Sequence, residues 1–282
     1  MVSIIILSYN TQDLLQKCLR SIFTNLKDID FEVIVVDNAS IDKSVEMVKE
    51  KFEKVKLVKS SDNLGFAKGV NLGATNAKGE YLLLLNSDIE IVTQSLKSLF
   101  TFLKEHKDVA VIGGKLDNAD GTTSKSYGNF YELGEVWSML FSDHKSKIDS
   151  IKSDKPVEVD WVSGGFMAIK KVVFDDLKGL DPHFFMYIED MEFCYRVHKK
   201  GLKVYYDRSI VVKHVGQGSS NRTFAIVNIF KGILYFYKKQ KPKWQYFLVK
   251  AMLIFKSALA IFIGTLTKNE YLKDTYSKAI KF

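Results

Sequence analysis

Short apolar runs alternate with segments of helical spacing along the N-terminal third of this chain. The runs have the length and the β-branched composition of strands that are buried on both faces. The strand-like segments are residues 2–7, 31–36, 56–59 and 81–85, and the helical segments are residues 13–23, 44–52 and 66–77. This alternation predicts an α/β fold with a mainly parallel sheet flanked by helices.

Polar residues follow three of these predicted strands, at the point where each strand ends. The three groups are Ser8, Tyr9 and Asn10; Asp37, Asn38, Ala39 and Ser40; and Asn86, Ser87 and Asp88. Ligands of open parallel sheets bind at the carboxyl ends of the strands. We therefore expect these three loops to converge on one binding site.

Two further segments carry side chains that are suited to metal binding or proton transfer. Asn86, Ser87 and Asp88 can hold Mg²⁺ or Mn²⁺ against a diphosphate, although the same residues are common in turns and helix caps. Glu189 and Asp190 open a predicted helix, where acids complement the helix dipole. Glu192 adds a third acid among aromatic residues, which is costly unless a cation or a proton transfer uses it.

His214 and the Gly164-Gly165 pair are less specific signals. His214 follows a predicted strand, and a single histidine there is more often structural than a ligand. The two glycines can form a tight turn, or they can let a ligand approach the backbone closely.

The C-terminal residues 224–282 differ from the rest of the chain in charge. They hold eleven lysines and two acids, a balance of +9, whereas the whole chain carries +8. The lysines are interrupted by two apolar segments of helical length, 224–237 and 244–266. Because the segment is apolar and poor in arginine, a nucleic-acid partner is disfavoured.

In the second apolar segment, Lys243, Lys250 and Ser257 recur every seven residues and predict a narrow polar stripe. The charge-free run 257–267 is too short to cross a bilayer core of about 30 Å. We expect a helix that lies on an anionic membrane surface. The alternative is a helix pair packed on the rest of the chain or on a second subunit, as in a homodimer.

The composition favours a packed, intracellular protein. Hydrophobic residues make up 46% of the chain, and it contains three prolines. Cys18 and Cys194 are far apart, which suits a reducing compartment and argues against a disulfide framework or a thiolate metal site. We expect a cytoplasmic protein that is peripheral at the inner face of the cell membrane.

Seven motifs, in this order, resemble those of family 2 glycosyltransferases, and most closely the rhamnosyltransferase-like branch. They are ILSYN (6–10), VDNAS (36–40), NLGFAKGVN (63–71), LNSD (85–88), VSGGFM (162–167), YIEDMEFCYR (187–196) and His214 with Gly216 and Ser219. The resemblance covers residues 2–220. It implies a GT-A fold with a mixed, mainly parallel sheet, to which the tail adds a C-terminal helical appendage.

The resemblance also assigns roles to residues. Asp37 lies on the nucleobase in that assignment, and the donor-binding set is Ser8, Tyr9, Asn10, Asp37, Asn38, Ser40, Asn63, Gly65, Lys68, Asn71, Asn86, Ser87 and Asp88. Asp88 and His214 are the implied ligands of Mn²⁺ or Mg²⁺, and Asp190 is the implied base, with Glu189 beside it. Trp161, Gly164 and Gly165 are our candidates for the acceptor side. Asn86 replaces the first acid of the family's D-x-D element, which weakens the case for tight metal binding.

The expected domain division is a catalytic domain 1–223 and a basic tail 224–282. The catalytic domain has a nucleotide-sugar half of about 1–115 and an acceptor half of about 116–223. The expected activity is inverting transfer from a nucleoside-diphosphate sugar, dTDP-rhamnose or a UDP-sugar, to a saccharide or lipid-linked acceptor in cell-surface glycan assembly. A non-catalytic nucleotide-sugar-binding or membrane-docking module is the alternative, and a sugar-nucleotide pyrophosphorylase, which needs a Gly-rich phosphate loop after the first strand, is a weaker one.

Overall fold

The computed structural model describes residues 1–92, 96–142, 150–215 and 222–281. The strands in these residues are β1 (Val2–Ser8), β2 (Phe31–Asp37), β3 (Val55–Lys59), β4 (Tyr81–Asn86), β5 (Ile89–Ile91), β6 (Val109–Asn118), β7 (Thr123–Ser124), β8 (Tyr127–Gly128), β9 (Val157–Glu158), β10 (Trp161–Val162), β11 (Phe166–Lys170) and β12 (Lys203–His214). The main sheet has the order β3-β2-β1-β4-β11-β6-β12-β5, and β8 pairs with β10 in a separate small sheet.

The helices of the described residues cover both faces of the sheet and extend the C-terminus. They are α1 (Gln12–Asn25), α2 (Ser44–Lys51), α3 (Gly65–Ala74), α4 (Leu96–Glu105), α5 (Leu133–Phe141), α6 (Lys171–Asp176), α7 (Glu189–Lys199), α8 (Arg222–Gln240), α9 (Lys243–Leu266) and α10 (Glu270–Ala279). The strands and helices predicted from the apolar pattern of the N-terminal third are confirmed. A parallel sheet covered on both faces explains why its strands read as continuous apolar runs.

The sheet is parallel from β3 to β4 and mixed beyond it, because β11 runs antiparallel to both β4 and β6. The register sets Ser8 beside Asp37 and Leu7 beside Asn86. The carboxyl ends of β1, β2 and β4 therefore meet at one edge of the sheet, as the strand-end rule predicts.

Two apolar cores lie on opposite faces of the sheet. Ile4 and Ile6 of β1 pack into the core formed with α1 and α4, while Ile5 packs into the core that contains residues of α7 and α8. Alternation of successive side chains along a strand produces this division. On α3, a Cβ at Gly73 would lie 2.5 Å from Ile5 Cγ2, so glycine there lets the helix rest directly on β1.

Residues 117–155, where the sequence pattern is weak and predicts a long excursion or mobile loop, contain regular structure. β7, β8 and α5 fall in this segment, and Val136 and Leu140 of α5 are buried in the core. Residues 143–149 lie outside the described part of the chain. Helix α5 packs against the core because it has apolar residues at helical spacing.

The C-terminal helices predicted from the tail are present, and α8 packs into the core of the sheet domain. Phe230, Ile233, Phe236 and Tyr237 are buried there, and the Tyr237 hydroxyl donates a hydrogen bond to the carbonyl oxygen of Tyr131 at 2.7 Å. The expected boundary between the catalytic domain and the tail, at residue 223, thus lies within α8. This helix packs in the same core as the sheet.

The polar stripe predicted on α9 is divided between two environments, because Lys243 is exposed whereas Ser257 is buried. Ser257 is fully buried, and its hydroxyl donates to the Leu253 carbonyl oxygen at 2.9 Å. A serine that bonds back to its own helix can be buried, which the heptad spacing alone does not reveal. Among the described residues, α9 is also the one helix with the length and apolar composition needed to cross a membrane. The charge-free run 257–267 is too short for this, but the whole helix is not.

Candidate active site

A cleft of about 730 Å³ opens at the carboxyl ends of β1 and β4. α7 and α8 contribute to its walls as well. The predicted site residues that line it are Tyr9, Asn38, Asn63, Gly65, Asn86, Ser87, Asp88, Trp161, Gly164, Gly165, Glu189, Asp190 and His214. Residues more than 200 positions apart in the sequence thus share one cavity.

Asp190 is held on the wall of this cleft by two backbone N–H groups. Gly164 N donates to Asp190 Oδ2 at 3.0 Å, and Met191 N donates to Oδ1 at 2.8 Å. A Cβ at Gly164 would lie 3.1 Å from the ring of Phe66. Burial raises the pKa of Asp190, and the two backbone hydrogen bonds partly offset that shift. The carboxylate is therefore oriented and has a proton affinity above that of an ordinary aspartate.

Glu189, the neighbouring acid, is buried. Its Oε2 atom is buried and has no hydrogen-bond partner among the described residues. Burial, and secondly the charge of Asp190, raise the pKa of Glu189 to about 8. The two neighbouring carboxyl groups therefore differ in surroundings and in proton affinity, as two acids with different tasks do.

The turn before α7 is strained. Tyr187 and Ile188 have φ values of +71° and +72°, which is unfavourable for a non-glycine residue and especially for the β-branched Ile188. Each such residue costs about 1–3 kcal/mol unless its surroundings enforce the conformation. The strained turn sets the direction in which Glu189 and Asp190 leave the backbone.

Helices α3 and α8 enforce this turn from two sides. Gly65, at φ +75°, lies so close to the loop that a Cβ would be 2.3 Å from the carbonyl oxygen of Phe185, and Phe66 N donates to that same oxygen at 2.6 Å. On the other side, a Cβ at Gly232 would lie 2.8 Å from Ile188 Cγ1. Gly65 thus holds the turn before α7 in place, in addition to the donor-binding role predicted for it.

Glu192, the third acid of this segment, is bonded to cationic side chains, which offset the cost of burying its charge. It is fully buried, and it accepts hydrogen bonds from Arg196 at 2.9 Å, from Lys239 at 2.8 Å and from Gln240 at 2.9 Å. Lys239 also donates to Asp181 at 2.6 Å. The sequence did not identify Lys239, because only the fold brings α8 against α7.

Asp181 connects this cluster to the segment that precedes α7. Its carboxylate accepts hydrogen bonds from Lys239, from the Tyr235 hydroxyl at 3.1 Å and from the backbone of His183 at 3.0 Å. Burial alone would raise the pKa of Asp181, but the hydrogen bonds from Lys239 and His183 hold it well below its usual value. The ionised cluster ties the start of the loop to α8.

Asp88 and His214 meet at the end of the cleft next to β5. His214 Nε2 lies 3.1 Å from Asp88 Oδ2, and Nδ1 lies 3.1 Å from Asn118 Oδ1. The hydrogen bond with Asp88 raises the pKa of His214. Asp88 Oδ1 is buried and has no partner among the described residues. No group of three or more acidic, histidine or cysteine side chains suited to a metal occurs in the described ranges.

Asn118 was not predicted, although it fixes the ring of His214. It ends β6, where the parallel register places it beside His214. The strand-end rule that identified Asp88 would have found it, had it been extended to this strand. Gly216 and Ser219, which complete the histidine motif, lie outside the described residues.

The predicted nucleobase loops form a connected network beside the cleft. Asn38 Nδ2 donates to Asn63 Oδ1 at 2.8 Å, and Asn10 N donates to Ser40 Oγ at 3.0 Å. Asp37 and Ser40 line an adjoining hollow of about 350 Å³. Asp37 Oδ1 is buried there without a partner in the described chain, so it can accept a hydrogen bond from a ligand.

Several predicted donor residues have other contacts. Both polar atoms of the Asn71 amide bond the backbone of Leu180, at 2.7 and 2.9 Å, and Lys68 is exposed outside the cleft wall. Ser8 reaches Ser87 through Thr11, with hydroxyl distances of 3.0 and 3.1 Å. Their donor-binding roles stay predictions.

Trp161, predicted for the acceptor side, lines the cleft but is largely buried, with 7% of its surface exposed and Lys125 Nζ 5.6 Å from its ring centroid. Its indole N–H donates to the carbonyl oxygen of Asn129 at 2.9 Å. Tyr131, Phe224 and Ile229 also line the cleft, and the sequence did not identify them. The two residues from α8 make the tail part of the cleft.

Residues 3–188 match the family model "Glycosyl transferase family 2". The chain belongs to glycosyl transferase family 2. It is a glycosyltransferase, and both the family and the rhamnosyltransferase-like resemblance predicted from the seven motifs are confirmed. The matched range contains the strand ends of the donor side and reaches the start of α7.

Three distant relatives are named as transferases of a hexose or of rhamnose. The family 2 chain is 24% identical over 72% of its length to the low-salt glycan biosynthesis hexosyltransferase Agl10 of Haloferax volcanii, of which it covers 63%. It is 26% identical over 79% of its length to rhamnosyltransferase WbbL of Escherichia coli, of which it covers 86%. It is 24% identical over 64% of its length to N-acetylglucosaminyl-diphospho-decaprenol L-rhamnosyltransferase of Mycobacterium tuberculosis, of which it covers 66%.

A solved structure of another protein has a similar fold. A crystal structure of GalNAc-T7 with UDP, GalNAc and Mn²⁺ superimposes with a TM-score of 0.64 at 16% identity, over 85% of this chain and 48% of the other. The predicted GT-A fold of this family 2 chain is confirmed by that match.

The raised pKa of Glu189 predicts a pH-dependent effect of Glu189→Gln on stability. The folded protein keeps the Glu189 proton to about pH 8, whereas the unfolded chain releases it near its ordinary pKa of 4.5. Wild-type stability is therefore lost as pH rises between these values. We expect Glu189→Gln to unfold near the wild-type temperature at pH 4.5 and to be more stable by on the order of 2 kcal/mol at pH 8.

Thermal unfolding at both pH values measures this difference. Glu53→Gln, at an exposed position, is the matched control and should stay within about 0.5 kcal/mol of wild type. Destabilisation by Glu189→Gln at pH 8 would show that the ionised form is the favoured one.

Proposed function

We propose that this enzyme transfers a sugar, with inversion, from dTDP-rhamnose or a UDP-sugar to a hydroxyl of a saccharide or lipid-linked acceptor in cell-surface glycan assembly. The observation that carries the proposal is the fixed carboxylate of Asp190 in the same cleft as the Asp88–His214 pair. Two relatives are named as rhamnosyltransferases, and one of them is named for a diphospho-decaprenol acceptor. These names support the rhamnose donor and the lipid-linked acceptor.

The transfer is a single displacement. The acceptor oxygen forms a bond to the anomeric carbon while the bond from that carbon to the diphosphate oxygen breaks on the opposite face. The acceptor proton passes to Asp190, whose two backbone hydrogen bonds fix the carboxylate before the reaction. Fixing the base and the donor in one cleft contributes further to the rate, because the reacting atoms are already aligned.

Asp88 and His214 fit a divalent metal ion such as Mn²⁺ or Mg²⁺. The unpartnered, buried Asp88 Oδ1 is a hard oxygen ligand, and Asn118 orients the His214 ring as an outer partner of a ligating histidine does. A bound ion would neutralise the departing diphosphate.

Asp88→Ala and His214→Ala are each expected to weaken Mn²⁺-dependent binding of a nucleoside diphosphate by about tenfold or more, because each removes one of two protein ligands. Calorimetric titration with UDP, dTDP and GDP, with Mn²⁺ and with chelator, measures this effect. The preferred nucleotide identifies the donor base, and slow release of that diphosphate from the corresponding sugar nucleotide tests for catalysis.

Asp120→Ala and His106→Ala, at exposed positions outside the cleft, are the matched controls and should bind like wild type. Equal nucleotide affinity with Mn²⁺ and with chelator, unchanged in both cleft variants, would refute the metal site. A protein that binds nucleotide but never releases diphosphate from any sugar nucleotide would be a binding module.

A further inference from the structure

We propose that α9 lies in the plane of an anionic lipid surface, with its outward apolar face in contact with the acyl chains. This outer face is defined by the exposed large apolar residues of α9: Trp244, Phe247, Leu248, Ile254, Phe255, Leu259, Phe262, Ile263 and Leu266. They recur three, four or seven positions apart, so they form one stripe along the helix.

The outer face is long and strongly exposed. Trp244, Phe247 and Phe262 have 60%, 65% and 60% of their surface exposed, and the helix of 24 residues is about 36 Å long. A continuous exposed apolar stripe of that length is unusual on a soluble monomer and marks a contact surface.

Helix α5 widens the stripe. Trp137 is more than half exposed, and its ring centroid lies 4.5 Å from that of Phe141, which in turn lies 6.0 Å from that of Phe255. Lys256 Nζ lies 5.5 Å from the Phe141 centroid. Aromatic rings beside lysines are typical of residues at the boundary between acyl chains and headgroups.

The opposite face of α9 is occupied by the protein itself. Val249, Leu253, Ser257 and Ala260 are buried. A Cβ at Gly264 would lie 3.0 Å from Leu272 Cβ of α10, so these two helices pack at close range. To cross a membrane, α9 would have to leave these contacts, which include a fully buried serine. The helix therefore lies along the surface, although its length would allow it to span.

The positive charge of residues 224–282 favours a lipid surface over a second copy of the chain as the partner of the outer face. Residues 224–282 carry +9, and three of their lysines, Lys243, Lys250 and Lys256, are on α9. A symmetric dimer through this face would bring two such positive surfaces together, which costs free energy. The cytoplasmic leaflet of a cell membrane is negatively charged, and each lysine near it adds to the attraction.

This docking would put the cleft beside the membrane. α8, which packs on α9, contributes Phe224 and Ile229 to the cleft wall. A lipid-linked acceptor could then reach the cleft while its lipid stays in the bilayer. The docking proposal itself is independent of the transfer chemistry, because the residues of the outer face do not line the cleft.

Vesicle flotation with the full chain tests the proposal. We expect the wild-type protein to float with vesicles of phosphatidylcholine and phosphatidylglycerol, and to float less with phosphatidylcholine alone or at high salt. The double variant Phe247→Ser/Phe262→Ser should lower the partition coefficient by about tenfold or more, since it removes two of the most exposed rings. Val172→Ser, which removes an apolar side chain that is 72% exposed on α6, is the matched control and should float like wild type.

Circular dichroism and nucleotide binding of the double variant establish that it is folded, so that loss of flotation reports on docking alone. Equal flotation of the double variant and wild type would overturn the proposal. A concentration-dependent dimer that requires Phe247 and Phe262, without vesicle binding, would assign the face to a second copy. Extraction by detergent only, insensitive to salt, would assign α9 to a membrane span.

Discussion

Asp190→Asn is expected to keep donor affinity within about threefold of wild type while turnover falls about 10²–10⁴-fold, the usual contribution of a positioned base. The amide has nearly the same size as the carboxylate but cannot accept a proton. Its single oxygen can accept from only one of the two backbone donors, Gly164 and Met191. A stability loss of about 1 kcal/mol should therefore accompany the loss of turnover.

Initial rates of nucleoside-diphosphate release, with the donor found by titration and a competent acceptor, measure the effect. Asp120→Asn replaces an exposed aspartate away from the cleft and should retain full turnover. If Asp190 were only a helix cap, asparagine would serve almost as well and transfer would continue. Near-wild-type turnover of Asp190→Asn would move the base assignment to Glu189, whose Gln variant would then be the inactive one.

Much of the fold was predictable because strand burial leaves a direct trace in the sequence. Continuous apolar runs such as Val33 to Val36 occur where helices cover both faces of the sheet, and the polar residues after them mark the ligand edge. Asp37, Asp88 and Asp190 were all found by their position at the end of a strand or the start of a helix. That rule depends on local sequence alone.

The residues that the sequence did not reveal are those whose roles depend on packing between distant elements. Lys239 is one of eleven lysines in residues 224–282, and nothing in its local sequence distinguishes it from the others. It becomes a partner of Glu192 and Asp181 only because α8 packs against α7. Likewise, Lys125 and Phe224 reach the cleft from segments without a motif.

Helix α9 is a second case in which the role of residues depends on packing between elements and cannot be predicted from local sequence. Heptad spacing of Lys243, Lys250 and Ser257 correctly indicates an amphipathic helix, but spacing cannot tell which face meets the protein. The small residues Ser257, Ala260 and Gly264 are buried, and glycine at position 264 lets α10 approach closely. Val249 and Leu253 are buried as well, whereas the large aromatic residues such as Phe247 and Phe262 are exposed.

Glu192→Met is expected to destabilise the protein by about 3–5 kcal/mol, because it leaves Lys239 and Arg196 at a buried site without the carboxylate that both of them bond. Glu132 offers a matched control, since it also pairs with a lysine of the C-terminal segment, Lys241, but is 57% exposed. Glu132→Met should cost at most about 1 kcal/mol. Urea unfolding of both variants gives the two free energies.

The ratio of the two losses distinguishes a structural connection from a general charge effect. If α8 is held against α7 by the buried cluster, only Glu192→Met should also raise the KM of transfer or lower turnover, because Asp181 anchors the strained turn that orients Asp190. Glu192→Gln should recover part of the stability, as its amide oxygen still accepts a hydrogen bond while the charge is gone. Equal, small losses in Glu192→Met and Glu132→Met would mean that apolar packing of Phe236 and Tyr237, rather than the ion cluster, fixes α8 in place.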